Sequence, residues 1–406
     1  MSLIITTFLA CALCFTLPCD FVHSLTVLWN QIHFFFRVMT KFYQHILAFV
    51  FAIDEINEDP RFLPNVSLGF HIFDSYTDSQ MTFRTTLDLL FNSHQFIPNY
   101  KCGIQKNVVA VIGGLSADTS SRMADISSVY KIPQVGPEHG HSSSTKSTVI
   151  HTSHSRLIKL FLHFQWKWIG LMAVDDEGGD HFLQAMVPLL LQNRICSAFV
   201  EHLEKNIHIF DKINDILLHK WNAVQTIMAS KATTIVLHGD SPAISWKTLS
   251  ATKVWITTAQ IDFTSNAFLH FVGFDIQMLH GAISFTIPSK DPHDFHEFLE
   301  LVSPSWEDKD GFIHDVWEQA FHCSVSNSVL SFLKGTCTGN ERLESLPETF
   351  FEMSMTGHSY GIYNAVFTVA HALHIKYSAT VDHSVMGSRR RAFPQILEPW
   401  QVLPSH

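Results

Sequence analysis

Two turns in this sequence are rich in groups that could hold a small polar ligand. The first lies in Val108 to Gln134, VVAVIGGLSADTSSRMADISSVYKIPQ, where an apolar run from Val108 to Ile112 breaks at Gly113-Gly114 and gives way to Ser116, Thr119 and Ser120. Glycines let a chain turn sharply at a strand's carboxyl end, and the free N–H groups of the helix that follows favour an anionic group. The residues alone leave two readings open: a ligand cradle, or a well-capped strand-to-helix turn that binds nothing. The second turn is Asp175-Asp176-Glu177-Gly178-Gly179, whose carboxylates, with Asp262, suit a cationic group and equally suit plain solvation. Asp74, Ser75 and Tyr76 form a weaker set at a third strand end.

Other constellations carry less. His139, His141, His151 and His154 lie close together in the chain, but no Cys or carboxylate stands at a recognised ligand spacing, so a polar surface loop is expected and no metal. Arg389-Arg390-Arg391 reads as a solvated loop, with a processing site as the alternative. Gly113-Gly114 lacks the GxGxxG pattern of a dinucleotide site, and no Ser-His-Asp or Cys-His arrangement can be assembled. No enzyme and no cofactor are expected.

These turns sit in an alternating series of elements. Apolar spacing predicts a helix over Tyr43 to Asn57, stopped by Pro60, a strand over Leu68, Phe70 and Ile72, and a helix over Met81 to Phe91. The Val108–Ile112 strand, a helix and a strand starting at Ile132-Pro133-Gln134 follow. From Gly136 to Ser155 the pattern dissolves into Gly, His, Ser and Thr. A helix over Leu157 to Phe164, a strand over Trp168 to Val174 and a helix capped by Asp180 come next. Further strands are expected at Ala198–Val200, Thr234–Leu237, Val254–Thr258 and Ala282–Ile287, with a last helix over Tyr360–Tyr377. Alternation of this kind predicts α/β architecture with parallel sheets flanked by helices.

A chain of 406 residues exceeds what one core usually fills, so two domains are expected. With 46% hydrophobic and 16% charged residues a folded chain is expected, and with a net charge of −10 a nucleic-acid footprint is not. Its 26 histidines make that charge move as pH falls through their ordinary pKa. Leu3 to Pro18 is an apolar run of signal-peptide length ahead of Cys19 and Asp20, but no Lys or Arg precedes it and Phe34-Phe35-Phe36 follows. A secretory signal, a signal anchor and a spurious exon all remain readings of it. Of seven cysteines, Cys11, Cys14 and Cys19 lie in or beside that run. Cys323 and Cys337 bracket a short polar segment that a local disulfide could close, Asn65-Val66-Ser67 is a glycosylation sequon, and no later stretch has the apolar length of a membrane span.

FAIDEINEDPRFLPNVSLGFHIFDSYTDSQMTFRTTLDLLF, YKCGIQKNVVAVIGGLSADTSSRMADISSVYKIPQ, HFQWKWIGLMAVDDEGG and MTGHSYGIYNAVFTVAHALH, in this order, resemble the ligand-binding ectodomain of vomeronasal type-2 receptors. These are class C G-protein-coupled receptors, and the resemblance covers the chain from about Phe36 to about Trp400. It implies a two-lobed Venus-flytrap of the periplasmic binding-protein type I fold. The implied division is 1–36 as a possible signal and irregular segment, 37–149 as lobe 1, 150–281 as lobe 2, 282–380 as lobe 1 again, and 381–406 as a return to lobe 2 or a tail. It further implies a small-molecule or peptide ligand, a homo- or heterodimer of ectodomains, and a place on the outer side of the plasma membrane. A G protein would be reached only through a membrane domain beyond this chain.

The resemblance also implies residues. It supports the Cys323–Cys337 pair, pairs Cys102 with Cys19, and leaves Cys196 single, because its counterpart bonds to a cysteine-rich domain that does not follow here. It places candidate ligand contacts at Ser116, Ala117, Thr119, Phe73 and His358, to which the residues themselves add Asp175, Asp176 and Asp262 as candidate second-lobe carboxylates that equally suit plain solvation. Several positions depart from the amino-acid-binding relatives. Ala117 stands for a second serine, Val135-Gly136-Pro137-Glu138 replaces a hydroxyl-bearing stretch, and the acidic hinge position falls near Ile150. Phe73 and His358 stand where glutamate receptors carry Arg and Lys. Free amino acids are therefore poor ligand candidates, since a buried α-amino group needs a partner. A chemosignal receptor, a soluble secreted module and a truncated non-functional product are the three readings that remain.

Overall fold

The computed structural model describes residues 40–64, 66–73, 75, 79–90, 108–114, 117–136, 146–203, 225–227, 229–239, 253–259, 281–306, 312–325, 336–348 and 350–386. The first of two cores is built round helix α1 (Thr40–Glu58), in which every residue from Tyr43 to Ile53 is buried. A helix that is apolar on nearly all sides needs cover on all sides. The C-terminal helix, numbered α8 below (Gly357–Met386), supplies one side with Ile362, Ala365, Val366, Val369, Ala370 and Leu373, the spacing of a single helical face. Rings supply another: Phe51 lies 5.3 Å from Phe295 and 5.2 Å from Phe298. Gln44 and His45 are buried polar residues within α1, and Gln44 is held by three hydrogen bonds. Its amide nitrogen donates to the carbonyls of Glu352 and Ser354, at 2.6 and 2.7 Å, and its oxygen accepts from Ser359 Oγ at 3.1 Å.

Helix α2 (Ser79–Leu90), strand β1 (Val111–Ile112), helix α3 (Ala117–Val129) and strand β2 (Gln134–Val135) complete this side. β1 and β2 pair in parallel, Val111 opposite Gln134 and Ile112 opposite Val135. Ile112 joins the α1 core, while Val111 faces a smaller cluster with Leu89, Met123 and Ile132, the two-residue alternation of a strand.

The second core is a five-stranded, all-parallel sheet in the order β4-β3-β5-β6-β7. Its strands are β3 (Trp168–Val174), β4 (Cys196–Leu203), β5 (Thr234–His238), β6 (Val254–Thr257) and β7 (Ile283–Ser284). Helices α4 (Lys146–His163) and α5 (Glu177–Gln192) cover one face. Against them lie Ile169, Leu171, Ala173, Val236 and Ile256, whereas Met172, Ile235, Leu237 and Trp255 point to the other face. Burial on both faces is why these strands read as continuous apolar runs. Short helices α6 (Phe295–Glu300) and α7 (Ile313–Ala320) return the chain to the first core, ahead of α8.

Three expectations change. Among the described residues Leu68 to Ile72 forms no ladder and carries a bridge only at His71; the Asn57 side chain takes both backbone groups of Leu68, donating to its oxygen at 3.0 Å and accepting from its nitrogen at 2.8 Å. Helix α4 begins at Lys146, within the stretch where the pattern dissolves. Its His154 is 5% exposed and packs 5.4 Å from Phe182, so it belongs to the core and not to a surface loop. Helix α4 is continuous across residues 149 and 150, α8 is continuous across 380 and 381, and β7 pairs with β6.

Cys323 and Cys337 form a disulfide beside a parallel bridge between Ser324 and Thr336. Replacing both by Ser removes a covalent closure with a sequence separation of 14. The expected loss is about 3 kcal/mol, measured by urea unfolding. Gln44→Leu strands two carbonyls in the first core and should cost about 1–3 kcal/mol in the same experiment.

His238 stacks on Phe182 at 4.1 Å and lies 3.1 Å from Thr258 Oγ1. Desolvation, and then the nearby His154, lower its pKa from 6.5 to about 3, against a Gly178 backbone contact that acts the other way. Between these values the unfolded chain binds a proton that the folded chain refuses, so this contribution to stability is lost as pH falls from 6.5 towards 3. Denaturant melts of wild type and His238→Gln across that window should show a shallower pH slope in the variant.

Candidate functional site

The first turn is held by close packing. Gly114 has φ +84°, a left-handed conformation, and a Cβ there would stand 2.7 Å from Ser120 Cα in the first turn of α3. Gln134 ties the same turn to β2, its amide donating to the carbonyl and hydroxyl oxygens of Ser120, both at 3.2 Å. Ala117 opens α3 and is half-buried. Thr119 is only 5% exposed and packs inward, and Phe73 is half-buried against the cluster of Leu89, Val111 and Met123. Both sit in packing positions and not at an open surface.

The second turn follows β3. Asp176, and not Asp180, is the N-cap of α5: its Oδ1 accepts from Gly179 N at 2.8 Å. Asp180 lies within the first turn, its N–H donating to the Asp176 carbonyl at 3.0 Å. Both Asp residues precede the apolar run, so sequence could not choose between them, but only Asp176 has the extended backbone of a cap. Asp175 is exposed, and it and Asp180 flank His202 at 4.0 and 3.9 Å. A Cβ at Gly179 would overlap the Val174 carbonyl oxygen, and one at Gly239 the Val174 side chain.

The two turns face each other. Glu177 N donates to Asp118 Oδ1 at 3.3 Å, and a Cβ built at Gly178 would touch the Ala117 Cβ at 3.3 Å. A second crossing lies at the start of α8, where His358 Nε2 is 3.2 Å from the Ala259 carbonyl beyond β6. Ala117 and His358 therefore stand where the two cores meet, Asp176 lies next to Glu177 there, Asp175 turns to His202 within the second core, and Thr119 and Phe73 pack inside the first. Ser116, Asp262, Asp74, Tyr76, Asn65, Cys19 and Cys102 lie outside the described residues. Cys196, at the start of β4, is an exposed free thiol. Asp118 was not among the sequence candidates, since an acidic residue in a first helical turn reads as an ordinary dipole partner. The junction thus sets the first turn of α3, with Ala117 and Asp118, against the acidic amino-terminal turn of α5.

Residues 45–398 match the family described as receptor family ligand binding region. Among similar proteins, vomeronasal type-2 receptor 26 of Mus musculus is 29% identical over 392 residues, covering 91% of this chain and 44% of that protein. The extracellular calcium-sensing receptor of Sus scrofa is 25% identical over 412 residues, covering 89% and 36%. Vomeronasal type-2 receptor 116 of Mus musculus is 27% identical over 354 residues, covering 82% and 40%. The chain spans less than half the length of each of these relatives. No described helix is long and apolar enough to cross a membrane.

Asp176→Ala removes the α5 cap and should lower stability by about 1 kcal/mol in urea unfolding, whereas Asp180→Ala, which removes no cap hydrogen bond, should change it by less than half as much.

Proposed function

The chain belongs to the family of receptor ligand-binding regions, and on that premise we propose that it senses a small or peptide chemosignal by closing two lobes around it, as part of a vomeronasal-type class C receptor. The observation that carries this reading is the face-to-face placement of two strand-to-helix turns from different cores, the second of them acidic, in contact through Asp118 and Glu177. Ligands of open α/β sheets sit at the carboxyl ends of strands, where both turns lie.

In this reading residues 37–149 and 282–380 form lobe 1 and 150–281 form lobe 2, with β7 added to the second lobe's sheet. Ser116 and Ala117 contact the ligand from lobe 1, Asp175, Asp176 and Asp262 from lobe 2, and His358 from the crossing at Ala259. Thr119 and Phe73 support the turn from behind. A ligand favours closure only by its differential affinity for the closed state. Closure would re-orient a homo- or heterodimer of ectodomains on the outer side of the plasma membrane and reach a G protein through a membrane domain beyond this chain. The chain would carry out no turnover. A Cys19–Cys102 disulfide and a glycan on Asn65 belong to the same proposal.

The test uses the full chain secreted from mammalian cells. Free amino acids, calcium chloride and pooled short peptides are each titrated while Tm and radius of gyration are followed. A peptide pool at a hundred times its Kd should stabilise the chain by about 2.7 kcal/mol and shrink it, and Asp175→Ala or His358→Ala should weaken the effect. A folded chain that no probe stabilises or contracts overturns the reading.

A further inference from the structure

From the geometry at the junction we infer that Asp118 is a built-in clasp, a carboxylate on the first core that closes the mouth by docking on the amino-terminal N–H of α5 in the second. Three contacts meet there: the Asp118–Glu177 hydrogen bond at 3.3 Å, the approach of Ala117 to Gly178, and the His358–Ala259 bond at 3.2 Å. Only the first joins a charged side chain to a helix end. A free N–H at the start of a 16-residue helix carries the positive end of its dipole, so a carboxylate is the side chain best suited to hold it. The cap Asp176 is already engaged with Gly179 N, which leaves Glu177 N to Asp118.

The clasp is weak by construction. Asp118 docks on a turn that carries Asp175, Asp176, Glu177 and Asp180, and repulsion among these carboxylates offsets part of the attraction. The bond is also open to water, which screens it further. A contact of this strength biases an equilibrium between open and closed arrangements without locking it. Ala117 and Gly178 are small enough to let the two turns come this close, a Cβ built at Gly178 standing 3.3 Å from that of Ala117.

The proposal accepts the two-lobed reading but needs no ligand, so its test is separable from the search for one. Ala117→Cys with Gly178→Cys places two thiols at a separation that a disulfide can bridge only when the mouth is shut. In the full chain carrying this pair and Cys196→Ser, the rate of cross-link formation under mild oxidation reports how often the mouth is closed. Asp118→Ala should slow cross-linking roughly fivefold, and Asp118→Asn, which keeps an acceptor oxygen but not the charge, should fall between. Urea melts establish that each variant is folded. Equal rates with and without the Asp118 carboxylate, in folded chains, overturn the clasp, and they leave the ligand titrations above unaffected.

Discussion

Val174 ends β3 with its carbonyl oxygen over Gly179 and its side chain against Gly239, and no side chain larger than hydrogen fits at either glycine. This crowding lets α5 begin immediately after β3 and run back along the sheet, burying Phe182, Met186 and Leu190 against Ile169, Leu171 and Ala173. The acidic turn is what remains at the top once that packing is satisfied. Its carboxylates are held at the sheet's edge because the chain has no room to turn elsewhere, and the Asp118 contact depends on the same placement.

Much of this was legible in the sequence. β3 spans Trp168–Val174 as expected, because a seven-residue apolar run between charged turns has few alternatives. The first helix was recognisable from Ile46, Phe49, Val50 and Ile53, although its burial on nearly every side reflects tertiary cover that no local pattern encodes. Leu68, Phe70 and Ile72 alternate like a strand, yet both backbone groups of Leu68 go to the Asn57 side chain, a pairing that the local pattern does not encode. The start of α4 was hidden because Ser, Thr and His are weak helix formers. The Asp118–Glu177 bond was invisible for a more general reason. It joins residues 59 apart through a side chain whose own helix explains its presence.

The two turns are chemically unlike, one carrying Ala117 and Asp118 and the other the carboxylates of Asp175, Asp176, Glu177 and Asp180. Ala117 brings a methyl group to the place where the turns approach most closely, and the structure uses its small size there. A serine would add a hydroxyl to a gap that Gly178 already leaves narrow. Selectivity at such a junction depends on which groups still have room to approach, as well as on which hydrogen bonds they offer.

The strand order has a consequence for how the chain is made. β3 emerges from the ribosome first among the five strands but ends in the interior of the sheet, between β4 and β5. After β4 has paired with it, its other edge stays bare for the few seconds needed to synthesise the chain up to Thr234. That edge is an apolar run with unpaired backbone groups, the kind of surface that recruits a stray strand from another nascent chain. How quickly β5 arrives to cover β3 therefore decides how long that edge stays open to a stray partner.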